Sequence, residues 1–260
     1  MNLHRSGGVA KIELNRPESM NAWNRQFGLD LLAAVEATAT DPEVRCVLLT
    51  GAGRGFSSGA DLKDMQHQEL TPDGRPDVYK ALTERYHPII LALRRMEKPV
   101  VAAVNGPAVG IGLSLALAAD LVVAAQRAYF LLAFVNIGLV PDGGSSVFVP
   151  DRIGVPRAME MALLGERLPA TRALEWGLIN RVFPDDELAA GAEELAARLA
   201  AGPTRSYAGS KRQLNAWTQR GIEEQLELEA TIQREMAGSS DFAEGVLAFV
   251  QKRQASFKGS

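Results

Sequence analysis

An α/β fold followed by a helical C-terminal region is predicted by three features of this 260-residue chain. Short β-branched or aliphatic runs, such as Val100 to Val104, alternate with stretches whose apolar residues recur at helical spacing, as in parallel strands joined by helices. Two of these runs lead into turns crowded with glycine, G-A-G-R-G-F-S-S-G-A-D-L and N-G-P-A-V-G-I-G. From residue 187 onward strands cease and amphipathic helix alone follows. The chain therefore reads as an α/β body, residues 1–186, and a helical region, residues 187–260, suited to docking on a neighbouring copy.

In order, G-V-A-K-I-E-L at 8–14 is a short strand and N-R-P-E-S-M-N turns out of it. Phe27, Leu31 and Val35 mark a helix from about Asn24 to Ala39. D-P-E-V leads to the strand R-C-V-L-L-T and its glycine-rich turn. Residues 63–77 are polar and read as a mobile loop over a site. The next helix carries Leu82, Tyr86, Ile89 and Leu93 on one face, with Pro88 expected to kink it. Strand Val100 to Val104 passes through Asn105, Gly106, Pro107, Gly110 and Gly112 into a helix from Leu113 to Ala119. L-V-V-A-A is a buried strand, a loop carries Phe130 to Phe134, and I-G-L-V-P-D-G-G-S-S follows. Helices over 155–164 and 170–176 and the strand L-I-N-R-V-F complete the body. In the tail, helices are predicted at E-L-A-A-G-A-E-E-L-A-A-R-L-A, K-R-Q-L-N-A-W and I-E-E-Q-L-E-L-E-A-T-I-Q-R-E-M, the last with Ile222, Leu226, Ile232 and Met236 on one face.

Composition narrows the function. A hydrophobic share of 47% with 23% charged residues is that of a globular protein. A net charge of −3 argues against nucleic acid or an anionic membrane as partner. The single Cys46 excludes an internal disulfide, and with three scattered histidines (His4, His67, His87) a metal centre has little to build on. No apolar leader or bilayer-length span is visible, and a cytoplasmic protein is expected.

A strand running through glycines into a helix leaves backbone N–H groups free at the helix start, where a phosphate, a carboxylate or a developing oxyanion can be held. A packed strand–turn–helix with no ligand is the equal alternative at this stage. Neither turn is a dinucleotide fingerprint, since Phe56 interrupts G-x-G-x-x-G, and neither carries the G-K-S/T of a P-loop. Asp142 stands among Gly138, Pro141, Gly143 and Gly144. It reads either as a helix N-cap or as a carboxylate in an apolar pocket with raised pKa and proton-transfer ability. Residue physics alone favours the cap.

Together these motifs resemble the enoyl-CoA hydratase/isomerase (crotonase) superfamily. The resemblance runs nearly end to end, through L-N-R-P-E-S-M-N-A, F-S-S-G-A-D-L, P-V-V-A-A-V-N-G-P-A-V-G, I-G-L-V-P-D-G-G, A-L-E-W-G-L-I-N-R-V and the terminal F-K-G. Within it, F-V-N-I-G-L-V-P-D-G-G-S-S and D-F-A-E-G-V-L-A-F-V-Q-K-R are most similar to the ring-1,2-epoxyphenylacetyl-CoA isomerase and Δ3,Δ2-enoyl-CoA isomerase branches. The resemblance implies a crotonase-like right-handed spiral of ββα turns, with C-terminal helices that build trimers, or hexamers as pairs of trimers. It implies an acyl-CoA thioester as substrate, coenzyme A entering with it, and no permanently bound cofactor.

The resemblance also places an oxyanion hole at the backbone N–H groups of Ser58 and Ile111. It places an adenine pocket at Ala22, Ala60 and Asp61, and phosphate contacts at Lys258 and Arg25. Ser57, Leu62, Gly110, Ser114 and Phe134 would line the path of pantetheine and acyl group between residues 57–62 and 106–112. Hydratases of the family use two glutamates, whose places here fall at Ser114 and near Phe134, so efficient hydration is not expected. Asp142 matches the isomerase aspartate. The dehalogenase branch pairs that aspartate with a histidine and a tryptophan, but Leu91 and Phe134 stand here. The implied activity is a double-bond shift from 3-enoyl-CoA to 2-enoyl-CoA, or a related ring or epoxide isomerisation, with Asp142 as acid/base. A weak hydratase or a non-catalytic acyl-CoA-binding scaffold is the alternative.

Overall fold

The computed structural model describes residues 1–63 and 69–260. It opens with an antiparallel hairpin, β1 (Asn2–Ser6) and β2 (Val9–Leu14). The hairpin turns at Gly7 and Gly8, both at positive φ. β1 was not legible, because L-H-R-S lies on an exposed sheet edge and shows no apolar alternation. Helix α1 (Arg25–Thr40) buries Phe27, Leu31 and Val35 as their spacing predicts, and Asn24 caps it by accepting from the Phe27 N–H at 2.9 Å. Strand β3 is Cys46–Gly51. Of the polar segment 63–77, residues 64–68 lie outside the described residues, and the expectation of a mobile loop falls largely on them.

Helix α2 (Val78–Ala81) continues through a π turn, Leu82–Tyr86, into α3 (His87–Arg95). The π turn stands immediately before Pro88, which has no N–H to give, so the wider turn takes up the disturbance expected as a kink. β4 (Val100–Val104) is buried at every position, and β5 (Ala108–Val109) and α4 (Ile111–Leu117) follow. Then come β6 (Leu121–Ala125), β7 (Tyr129–Leu131), a 3-10 turn over Ala133–Ile137, and α5 (Ser145–Leu164). Sequence periodicity found only the second half of α5. Gly154, with non-helical backbone (φ 77°), breaks α5 into two helical stretches between Pro150 and Pro156, and the expected helix over 155–164 is the second of them.

The body ends with β8 (Leu168–Pro169), α6 (Ala170–Trp176) and β9 (Arg181–Phe183). Four helices follow: α7 (Leu188–Ala201), α8 (Thr204–Thr218), α9 (Ile222–Met236) and α10 (Ser240–Gln251). Although α7 lies past residue 187, it covers the main sheet, with Leu188, Ala192, Leu195 and Ala196 in the core.

Six strands form the main sheet in the order β1-β2-β3-β4-β6-β9, parallel except for the opening hairpin. A second layer, β5-β7-β8, runs alongside. From β4 the chain steps to β5 and then into α4; from β6 it steps to β7 and then toward α5. That repeated strand, short strand, helix path is the expected ββα spiral, and it delivers the start of α4 and the approach to α5 to the same end of the molecule. Among the described residues, no helix is long and apolar enough to cross a membrane.

Candidate active site

The two glycine-rich turns are zipped together by backbone hydrogen bonds. The N–H groups of Phe56 and Ser57 donate to the Pro107 carbonyl at 3.1 and 3.0 Å, and the Val109 N–H donates to Ser57 O at 2.9 Å. Gly59 sits at φ 92°, and a Cβ there would come within 2.9 Å of the Val109 carbonyl oxygen, so only glycine lets the turns approach this closely. Gly112 likewise admits Ser57, whose Cβ would lie 2.6 Å from an added Cβ. Gly110 turns the chain into α4, leaving the Ile111 N–H at the first helical position without an acceptor among the described residues.

The second expected donor is corrected. The Ser58 N–H is already engaged, donating to the Met20 carbonyl at 2.9 Å, and its hydroxyl donates to Ser19 O. The Ala60 N–H is the free one. Ala60 bridges Trp23 in parallel fashion: the Trp23 N–H donates to Gly59 O and the Asp61 N–H donates to Trp23 O. The Ala60 N–H therefore faces away from Trp23 and meets no acceptor among the described residues. The residue type pointed to the right turn, but only the bridge register shows which N–H is spent.

Asp142 arrives beside this pair from the approach to α5. Gly143, at φ 61°, packs directly on the Ile111 side chain and on Ser114. The buried Ser114 hydroxyl donates to the Asp142 carbonyl at 2.7 Å, and the Ser145 hydroxyl donates to the same oxygen at 2.8 Å. Asp142 is buried, 6% exposed as a whole residue. Its Oδ2 accepts from Gln233 Nε2 at 2.8 Å, while Oδ1 is buried with no partner among the described residues. Burial pushes the carboxyl up to about 8, the Glu229 charge pushes the same way, and the Gln233 hydrogen bond opposes them.

The capping alternative for Asp142 does not hold. Helix α5 is capped in trans by Glu229 of α9, which accepts from the Gly144 N–H at 2.9 Å and the Ser146 N–H at 3.1 Å. Burial pushes Glu229 up to about 7, against the pull of those hydrogen bonds. Neither Glu229 nor Gln233 was singled out in the sequence. The buried stripe of α9 runs through Leu226, Glu229, Ala230 and Gln233, not through Ile232 and Met236 as expected. The available signal was two polar residues at helical spacing between Leu226, Ala230 and Ala237.

The remaining expected residues divide into those near the turns and those engaged elsewhere. Phe134 is buried, with its ring 3.7 Å from where a Gly110 Cβ would stand. Ser57 is fully buried and its hydroxyl donates to Asn21 O. Ala22 and Asp61 are joined by Arg16, whose Nη1 donates to Ala22 O at 2.6 Å and to Asp61 Oδ2 at 3.1 Å. The Asp61 carboxylate thus braces the turn, and half-buried Leu62 follows it. Exposed Arg25 pairs with Glu69 at 3.2 Å. The Lys258 N–H donates to Asp241 at 2.7 Å, at the start of α10, which itself packs against Gly138. Among the described residues, no group of three or more His, Cys, Asp or Glu side chains could hold a metal ion.

Known proteins are similar to this chain over nearly its whole length. Residues 4–260 match the family model described as enoyl-CoA hydratase/isomerase. A 1,2-epoxyphenylacetyl-CoA isomerase of Escherichia coli is 41% identical over 257 residues, covering 98% of this chain and 97% of the relative. A probable enoyl-CoA hydratase of Rhodobacter capsulatus is 42% identical over 254 residues, covering 98% and 96%. Among solved structures, an enoyl-CoA hydratase from Mycobacterium avium subsp. paratuberculosis superposes with a TM-score of 0.89 at 41% identity, covering 99% of this chain and 98% of that one.

Proposed function

Since the chain belongs to the enoyl-CoA hydratase/isomerase family, we propose that it isomerises an unsaturated acyl-CoA thioester, with Asp142 as the acid/base. The carrying observation is the buried, unpartnered Oδ1 of Asp142 beside the free N–H of Ile111. The carboxylate takes a proton from C2 of a 3-enoyl-CoA, and the electron pair moves into the thioester carbonyl. The resulting oxyanion is held by the N–H groups of Ala60 and Ile111, each donor being worth roughly 2.7–4 kcal/mol in such sites. Asp142 returns the proton at C4, giving the 2-enoyl-CoA. A related ring or epoxide isomerisation uses the same two parts, and the similarity to a protein named 1,2-epoxyphenylacetyl-CoA isomerase supports that variant. Coenzyme A enters and leaves with the acyl group. Assembly as a homotrimer, or as two trimers, belongs to the same reading.

Hydration, suggested by the relatives named as hydratases, needs a second carboxylate free to orient water. Ser114 is not acidic and gives its hydroxyl to the Asp142 carbonyl, and both oxygens of Glu229 are occupied by N–H groups of α5. Isomerisation needs one base only. Purified protein offered 3-enoyl-CoA and 2-enoyl-CoA separately is expected to shift the double bond, with little 3-hydroxyacyl product. Asp142→Asn is expected to lower isomerisation by roughly 10²–10⁴-fold, the range of general acid/base contributions, with acyl-CoA affinity retained. Turnover at the wild-type level in that variant would refute the assignment and favour a scaffold.

A further inference from the structure

The second half of α5, residues 155–164, is apolar on both sides. Met161 is buried, and Ala158 and Ala162 pack half-buried against the core. On the outer side Val155, Met159 and Leu163, spaced four residues apart, are each more than half exposed, as is Leu164 beside them. A helix at a protein surface keeps its outer face polar, and one that is apolar all round is covered on every side. Elsewhere in the α/β body the exposed large apolar residues among the described ones, Leu29, Leu70 and Leu174, lie on separate elements. The α5 stripe is therefore a concentrated apolar face that its own chain leaves open.

The charges around the stripe favour a cationic partner. Arg157 and Arg167 lie over rings of their own chain, Trp176 at 5.1 Å and Tyr129 at 4.7 Å. Exposed Glu160, which flanks the stripe, and Glu166, just past the end of α5, form no ion pair among the described residues. Helix α8 has the opposite character. Residues 204–220 contain Arg205, Lys211, Arg212 and Arg220 and no carboxylate. Its outer face carries Leu214 and Trp217, both more than half exposed and one turn apart. Arg220, three residues further on, is exposed and forms no ion pair among the described residues.

We infer that the α5 stripe is the seat of α8 from a second copy of this chain, with Leu214 and Trp217 of one copy packed on Val155, Met159 and Leu163 of the next. The inference rests on the threefold assembly proposed above. A ring closed by rotation joins each copy to the next through two different patches. The apolar face of α8 thus needs an unlike receiving face on the same chain, and the α5 stripe offers matching carbon surface with opposite charge at its rim. Contact between two α8 faces would instead set their cations against one another.

The test is sedimentation of two variants of the full chain, alone and mixed. Met159→Arg spoils the α5 seat and keeps the α8 face; Trp217→Lys does the reverse. Each alone is expected to sediment as a monomer with unchanged circular dichroism. Mixed, they still hold one intact α5 and one intact α8 between them, so a heterodimer of twice the 28.0 kDa of one chain should appear. Should Met159→Arg fail to fold, the exposed Glu160→Lys takes its place, with an expected loss of about tenfold or more in association. A wild type that sediments as a monomer would refute the assembly and the seat together. A trimeric wild type whose folded α5 variant also stays trimeric would overturn the seat alone. Two monomeric variants that form no heterodimer when mixed would do the same, since the two faces would then not meet each other.

Discussion

Asp142 is governed by two side chains one turn apart on α9 that act in opposite senses. Glu229 places a like charge near it and raises its pKa, while Gln233 donates to its ionised oxygen and lowers it. As a base Asp142 must be ionised, so kcat/KM is expected to climb with pH toward a plateau set by a pKa of about 8. Glu229→Gln should move that acid limb to lower pH, and Gln233→Leu should move it to higher pH. A general loosening of α9 would shift both variants the same way, so pH profiles of kcat/KM separate the two causes. Stability gives an independent check. The native carboxyl stays protonated between the ordinary value of 3.8 and about 8, where the unfolded chain has released its proton. Folding therefore loses stability as pH rises through that window, by about 1.4 kcal/mol per unit for an isolated site. Asp142→Asn should melt above the wild type at pH 8, with the gap closing toward pH 4. A gap independent of pH would show that the carboxyl is not desolvated.

Among the elements, the two glycine turns and α9 differ in how much of their role could be read from the sequence. Val100 to Val104 and both turns were legible because burial on two faces and the demand for glycine are local properties. The same locality made the Ser58 assignment fail. Whether an N–H is free depends on the Met20 carbonyl and the Trp23–Ala60 bridge, contacts that span some forty residues of chain. Asp142 was legible as a choice between cap and base, but the deciding residue, Glu229, lies 85 positions from the N–H it binds. β1 and the first half of α5 were missed for the plainer reasons of edge exposure and proline. The turn geometry carries its own prediction. In Gly59→Ala the residue keeps φ near 92° only at a cost of about 1–2 kcal/mol, and its Cβ meets the Val109 carbonyl. The turns must part, and the Ala60 N–H moves with them. A fall in kcat at least tenfold, exceeding any change in KM, is the expected kinetic result; unchanged kcat would detach Ala60 from oxyanion binding.

Across the whole molecule, α9 of the same chain covers Asp142. Apolar side chains nonetheless remain on the outer faces of the C-terminal helices: Leu214 and Trp217 on α8, Leu228 on α9, and Leu247, Phe249 and Val250 on α10. Trp217 is 77% exposed, and an array of this kind marks a surface that another protein covers. A second copy is the occupant proposed here, through residues 187–257, in threefold assembly. Sedimentation at micromolar concentration is expected to give three or six times the 28.0 kDa of one chain. Trp217→Lys should shift the boundary toward the monomer while leaving the helical circular dichroism intact. Since burial, Glu229 and Gln233 of its own chain shift the Asp142 pKa, the dissociated variant should keep the same acid limb in kcat/KM. A wild-type protein that sediments as a monomer would remove the threefold assembly. A Trp217→Lys monomer whose acid limb has moved would show instead that a neighbouring copy completes the environment of Asp142.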